Sequence, residues 1–146
     1  MLRDHCTLYN AALQERKDAY KWGKVSVKYA HQTAQLTEIR RADEQYSRWS
    51  AASEQQTLRR LDNAYNAMFT RWNNTGKFSR IRYKSQYRFD TVTFIHGNGG
   101  KFSPAAKKVY MQGIGHVKVN MHRPVRGDVT QFSITRKGKH WFVNAI

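Results

Sequence analysis

Acidic residues are scarce in this chain, and they are scarcest in its second half. Only 10 of the 146 residues are Asp or Glu, against 26 Lys and Arg, for a formal net charge of +16. Residues 73–146 hold two carboxylates, Asp90 and Asp128, beside 14 basic side chains, a net +12; residues 1–72 hold eight beside 12, a net +4. Two-metal phosphoryl chemistry needs several acidic ligands around its ions. Two separated carboxylates in the basic half do not supply them, so a self-sufficient metal nuclease is not expected. The acids of the first half lie on charged helix faces, where solvation or i,i+4 pairing is the default.

Cysteine is nearly absent too. The single Cys6 allows no intrachain disulfide and no cysteine-based zinc site, which fits a reducing, cytoplasmic setting. Cys6 lies in a helical pattern and reads as a small buried residue. No apolar run reaches the roughly 18–20 residues needed to span a bilayer, and Met1–Cys6 lacks an apolar stretch of signal-peptide type; no membrane role is expected. Phosphate loop, dinucleotide fingerprint and nucleophile elbow are all missing. The histidines show no metal-ligand spacing: His31 falls on a polar helix, His96 in a glycine loop, and His116, His122 and His140 on β segments. Neither a cofactor nor a catalytic constellation is expected, so the chain is not read as an enzyme on its own.

The first half has helical periodicity. Cys6, Tyr9, Leu13 and Tyr20 fall near one face, and Gly23 interrupts. A second, weakly patterned helix is predicted from about Ser26, marked by Tyr29, Leu36 and Ile39. Tyr46 and Trp49 form a short third pattern before a break at Ser50–Ser53. The strongest helix follows: Ser53 and Gln56 have capping-box spacing, and Leu58, Leu61, Tyr65, Met68 and Trp72 repeat at three and four as a core stripe. Asn73–Gly76 supplies the stop.

The period then changes to two. Strands are predicted around Phe89–Phe94, Val109–Met111 and Gly115–Met121, and a hairpin pairs Gln131–Arg136 with His140–Asn144 across Lys137-Gly138-Lys139. His96–Gly100 reads as a loop. Helices followed by mostly antiparallel strands predict an α+β fold, with a helical region over 1–75 and a basic β-rich region over 76–146.

A basic surface with interleaved aromatics is what remains, and a field of this sign is relieved by a polyanion. Nucleic acid is the expected partner. Phe78–Phe89 is the densest stretch. Arg80, Arg82, Lys84 and Arg88 share parity and would line one face of an extended chain, with Ile81, Tyr83 and Phe89 on the other. Tyr83 is also a candidate for stacking on bases. Lys118, Arg123, Arg126, Lys137 and Lys139 are further phosphate-contact candidates.

Several segments, in order, resemble the amino-terminal part of TnpB (OrfB) proteins, the insertion-sequence-encoded RNA-guided endonucleases that look like ancestors of type V CRISPR effectors. Tyr9-Asn10-Ala11-Ala12-Leu13 is similar to the family's first helix, and Gln55–Tyr65 to its "QxxLRRLDxAF" helix. Arg82-Tyr83-Lys84-Ser85 resembles "PRFKS", with Arg88-Phe89 and Thr93-Phe94 resembling the strand after it. Gly113–Val119 with His122-Arg123-Pro124 resembles "xGxVKVxxHRP", and Lys139–Val143 resembles "GKWYV". The likeness covers nearly the whole chain. It implies a helical recognition bundle followed by an incomplete, antiparallel β-barrel, an oligonucleotide-binding-like wedge. It implies guide RNA and target DNA as partners, held largely by shape and phosphates. There are departures: Ile81 stands where the family usually has Pro, and Ser79 where it often has Gly. Relatives start with a β-strand before the first helix and continue into a RuvC-like nuclease domain, neither of which is in this sequence. The expected reading is a nucleic-acid-binding fragment without its own cleavage activity. The alternatives are a nuclease-dead DNA-binding regulator, or one subunit of a split effector that needs a partner chain or the missing nuclease domain.

Overall fold

The computed structural model describes residues 1–146 and shows an α+β fold: four helices followed by a six-stranded sheet that curls into a half-barrel. The helices are α1 (Leu2–Gly23), α2 (Tyr29–Ala42), α3 (Glu44–Ser47) and α4 (Ala51–Thr75). The strands are β1 (Thr91–His96), β2 (Gly99–Ser103), β3 (Lys108–Met111), β4 (Gly115–Lys118), β5 (Gln131–Lys137) and β6 (His140–Ala145). They lie in the order β4-β3-β2-β1-β5-β6, with every pairing antiparallel except β1–β2.

Helices α1 and α4 run side by side in the same direction. His5 meets Ser53 and, eleven residues on, Arg16 meets Asp62, so the two helices advance together. The salt bridge is mostly buried, with 3.1 Å between Arg16 Nη2 and Asp62 Oδ1, and the Arg16 Nε donates to Gln32 of α2, which ties the three helices together. Helix α4 starts earlier than the capping-box spacing predicts. Ser50 is its N-cap and accepts from the Ser53 N–H, while the Ser53 hydroxyl donates back to the Ser50 carbonyl and pairs with His5 Nε2. Ser53 is thus taken up by a buried tertiary contact, and the cap passes to the next available hydroxyl upstream. Likewise α2 begins at Tyr29 rather than near Ser26.

The two stripes are core only over part of their length. Cys6, Tyr9, Leu13, Leu58, Leu61 and Met68 are buried, but Tyr20 is 61 % exposed and Trp72 47 %. Both of these lie where the helix pair runs beyond the rest of the fold. One contiguous core includes Leu2, Leu13, Leu58 and Leu61 from the helices and Phe94, Phe102, Phe132 and Ile134 from the sheet.

Cross-strand partners lie on one face of a sheet. Val117, Val109, Phe102, Phe94, Phe132 and Ile134 therefore share the inner face with Trp141 and Val143. Lys101, Lys108, Tyr110, His116, Lys118 and Lys137 share the outer one. The predicted alternation in the second half is correct in this respect. The predicted loop at His96–Gly100 is shorter than expected. The chain turns at Gly97-Asn98 and steps sideways into β2, which pairs with β1 in parallel at Ile95–Gly99 and His96–Gly100. Gly99 permits that step: its φ is +77°, and a Cβ there would meet Ser50 Oγ at 2.3 Å. The predicted strand over Gly115–Met121 ends at Lys118, and Val119–Thr130 crosses without regular structure.

Candidate nucleic-acid interface

Residues 77–90 form no strand. They run as an irregular strap along α1, held at a few points. Asn10 of α1 grips the backbone of Lys84 twice: its Oδ1 accepts from the Lys84 N–H and its Nδ2 donates to the Lys84 carbonyl, both at 2.8 Å. The Cys6 thiol donates to the same carbonyl at 3.3 Å. Burial pushes that thiol's pKa up, which keeps it protonated and able to donate. Phe89 is fully buried near Tyr9, with ring centroids 6.3 Å apart, and Ile81 packs against the core.

This anchoring leaves Arg80, Arg82 and Arg88 exposed and Lys84 half-buried. Tyr83 does not face inward with Ile81 and Phe89, as strand parity predicts. Its ring is 45 % exposed, its hydroxyl donates to Gln14 Oε1, and the Lys17 ammonium sits 4.2 Å from its centroid. Parity fails because no neighbouring strand fixes an alternation here, and the contacts with Gln14 and Lys17 turn the ring onto α1. Lys17, Arg80, Arg82 and Tyr83 line one cleft of about 570 Å³. Lys84 and Arg88 lie outside it.

The remaining candidates are placed elsewhere. Lys118 ends the edge strand β4, and Arg123 and Arg126 are exposed on the 119–130 crossing; all three line a second, larger cleft of about 1590 Å³. That cleft opens along the inner face of the sheet, between β4 and β6. Its rim also carries Arg3 and Arg136, and its walls include Trp141 and Val143. Lys137 and Lys139 flank Gly138 in the β5–β6 turn, exposed to solvent, with Lys137 5.9 Å from the Phe142 ring. The ten sequence-predicted residues thus fall into three groups rather than one surface row.

Ion pairing is confined to the first half. The three ion pairs, Arg16–Asp62, Arg40–Glu54 and Arg41–Glu38, all lie in residues 1–72. None of the 14 basic side chains of residues 73–146 is paired with a carboxylate. Asp90 instead accepts from the Thr91 hydroxyl.

Two buried titratable groups support the helices from which the strap hangs. The His5 Nδ1–H donates to the Met1 carbonyl and Nε2 pairs with Ser53 Oγ, and burial lowers its pKa to about 4, so the ring stays neutral. Glu54 is ion-paired to Arg40 through Oε1, while Oε2 is buried with no partner; burial outweighs the Arg40 charge and pushes its pKa up to about 7. Arg40 also donates to the carbonyls of Tyr46 and Trp49, so it organises α3 and the start of α4. No group of three or more His, Cys, Asp or Glu side chains comes together as a metal site.

Sequence reasoning missed the contribution of α1. Lys17 completes the first cleft, and Lys21 and Lys24 sit over the exposed rings of Trp22 and Tyr20 at 4.7 and 4.8 Å. The signal was present in Tyr20-Lys21-Trp22-Gly23-Lys24, where basic and aromatic residues alternate just as the helix leaves its packing partners. No family model matches the chain, and neither does any curated protein.

Proposed function

We propose that this protein binds nucleic acid through phosphate contacts. The observation that carries the reading is the complete lack of carboxylate partners for the 14 bases of residues 73–146. Unpaired cations of this density repel one another until they neutralise a polyanion, whose condensed counterions are then released to solution. Arg80, Arg82 and Lys17 around one cleft, and Lys118, Arg123 and Arg126 around the other, are the phosphate ligands; Lys84, Arg88, Lys137 and Lys139 extend the field.

The resemblance to the amino-terminal part of TnpB proteins adds the class of nucleic acid. In this reading the helices act as a recognition bundle. The curled sheet acts as an incomplete, oligonucleotide-binding-like wedge, and together they hold a guide RNA and its DNA target by shape and phosphates. The protein is a binding component and does not cleave by itself.

The test is binding of the purified protein to structured RNA, duplex DNA and an RNA–DNA hybrid across a salt series. Tighter binding to RNA or hybrid that persists as salt rises supports guide holding. Equal, steeply salt-sensitive binding to all three leaves only a general basic field. Unchanged affinity in a variant carrying Arg82→Glu and Lys84→Glu removes the strap from the site.

A further inference from the structure

The free end of the α1–α4 pair carries aromatic rings that the core does not use. Trp22 is 78 % exposed, Phe78 56 % and Trp72 47 %. Because α1 and α4 run parallel from His5–Ser53 through Arg16–Asp62, the last turns of both helices emerge at the same end of the molecule. The chain leaves α4 at Gly76, and Phe78 then packs edge-on against Trp72 with centroids 5.5 Å apart. The strap continues to Tyr83, which Lys17 covers on one side. A cation lies against Trp22 as well, the Lys21 ammonium 4.7 Å from its ring. Neither Lys17 nor Lys21 has a carboxylate partner.

We infer that this end, built on Trp22, Trp72, Phe78 and Tyr83 with Lys17 and Lys21, is a stacking site for unpaired nucleotides. This rests on the nucleic-acid reading above and assigns it a substrate class, an unpaired strand. An exposed ring offers a flat apolar face, and a base offers the same once it is out of a helix. Inside a duplex both faces of each base are already stacked and only the outer faces of the two end pairs are open, so duplex affinity gains little from these rings. The adjacent lysines supply the charge that a strand's phosphates need. A protein partner of ordinary composition would meet this cluster of unpaired lysines without compensation, and charge complementarity therefore favours the polyanion. Tyr83 is fixed for the purpose: its hydroxyl is tied to Gln14, which holds the ring in place before any strand arrives.

The experiment compares the wild-type protein with Trp22→Ala, Trp22→Phe and Trp72→Ala, using a twelve-nucleotide oligouridylate and a blunt duplex of the same length as probes. Both tryptophans are substantially exposed near helix ends, so their removal leaves the core untouched. The expected result is quenching of tryptophan fluorescence by the single strand. Trp22→Ala and Trp72→Ala should each lose about tenfold in single-strand affinity, the usual scale of one lost ring–base stack, while duplex affinity stays within twofold. Trp22→Phe retains most of the single-strand binding. Full single-strand affinity in both alanine variants overturns the stacking site and leaves phosphate binding standing. An equal loss on both probes also overturns it, because the rings then act without regard to base pairing. No binding of either probe by the wild type overturns the nucleic-acid reading itself, and the stacking site with it.

Discussion

In residues 1–72, Arg16 and Arg40 are largely withdrawn from water and paired to Asp62 and Glu54; in residues 73–146, Arg80, Arg82, Arg88, Arg123 and Arg126 are exposed and paired to nothing. The same residue type therefore does two jobs. A guanidinium held among carbonyls and a carboxylate fixes helices to one another, and its loss strands a buried partner. A guanidinium on a strap or crossing loop adds nothing to packing and leaves its donors free for phosphate. The comparison teaches that an Arg side chain serves packing where a carboxylate and carbonyls surround it, and stays in solvent where none does.

The largest expected effect attacks the paired side. Arg40→Met leaves Glu54 buried without its cation and frees the carbonyls of Tyr46 and Trp49, and the expected loss is about 3 kcal/mol, the scale for breaking one side of a buried pair. Urea unfolding measures it. The matching change on the unpaired side, Arg82→Glu with Arg123→Glu, is expected to leave the urea midpoint unchanged or raise it, because self-repulsion falls. The same variant should lose about tenfold or more in nucleic-acid affinity, with a salt dependence shallower by about one phosphate contact per residue removed. Fluorescence anisotropy at several salt concentrations checks both. An equal stability loss in the two variants would erase the comparison.

A pH series sharpens it. Glu54 titrates at about 7 when folded and near its ordinary 4.5 when unfolded, so its contribution is present in full below pH 4.5 and is lost as pH rises through 7. His5 runs the opposite way. Its folded pKa of about 4 lies below the ordinary 6.5, so its contribution is present above pH 6.5 and is lost as pH falls through 4. Between pH 4.5 and 6.5 the two oppose one another, and the urea midpoint of the wild type is expected to be nearly level there. Glu54→Gln removes one limb, and stability should then rise with pH across that window. A midpoint that stays level in the variant would refute the assignment of these two groups. The smallest effect is expected from Asn10→Ala, which removes two hydrogen bonds to Lys84 and costs about 1–2 kcal/mol. It should also weaken nucleic-acid binding modestly by loosening the strap. Hydrogen exchange at the Lys84 amide reports the loosening directly.

Much of this fold was legible from period alone. The long fourth helix, the β5–β6 hairpin across Lys137-Gly138-Lys139 and the alternation of His116, Val117 and Lys118 follow from residue spacing. What spacing misjudged has a common physical cause, contacts between residues distant in sequence. Ser53 has the look of a cap, but His5 claims it. Tyr20 and Trp72 continue apolar stripes past the core, where Lys24 and Phe78 lie against them and leave them largely exposed. Tyr83 has strand parity, yet Gln14 and Lys17 turn it onto α1. For the candidate site, the sequence located the charged segments. It could not group them, because grouping Lys17 with Arg80 and Lys118 with Arg123 depends on how the chain returns on itself.

The sidestep between β1 and β2 has a consequence for how the molecule is assembled. Gly99 lies so close to Ser50 that the hydroxyl capping α4 occupies the space a side chain would need, and the same hydroxyl donates to the carbonyl of Asn98. The start of the longest helix and the lateral shift of the sheet are therefore set by one shared contact across 48 residues. Closing a loop of that length is slow compared with forming a helical turn. Helix α4 can wind early, but its first turn is finally fixed only when the strand has made its turn at Gly97-Asn98, which makes this junction a natural late step in folding.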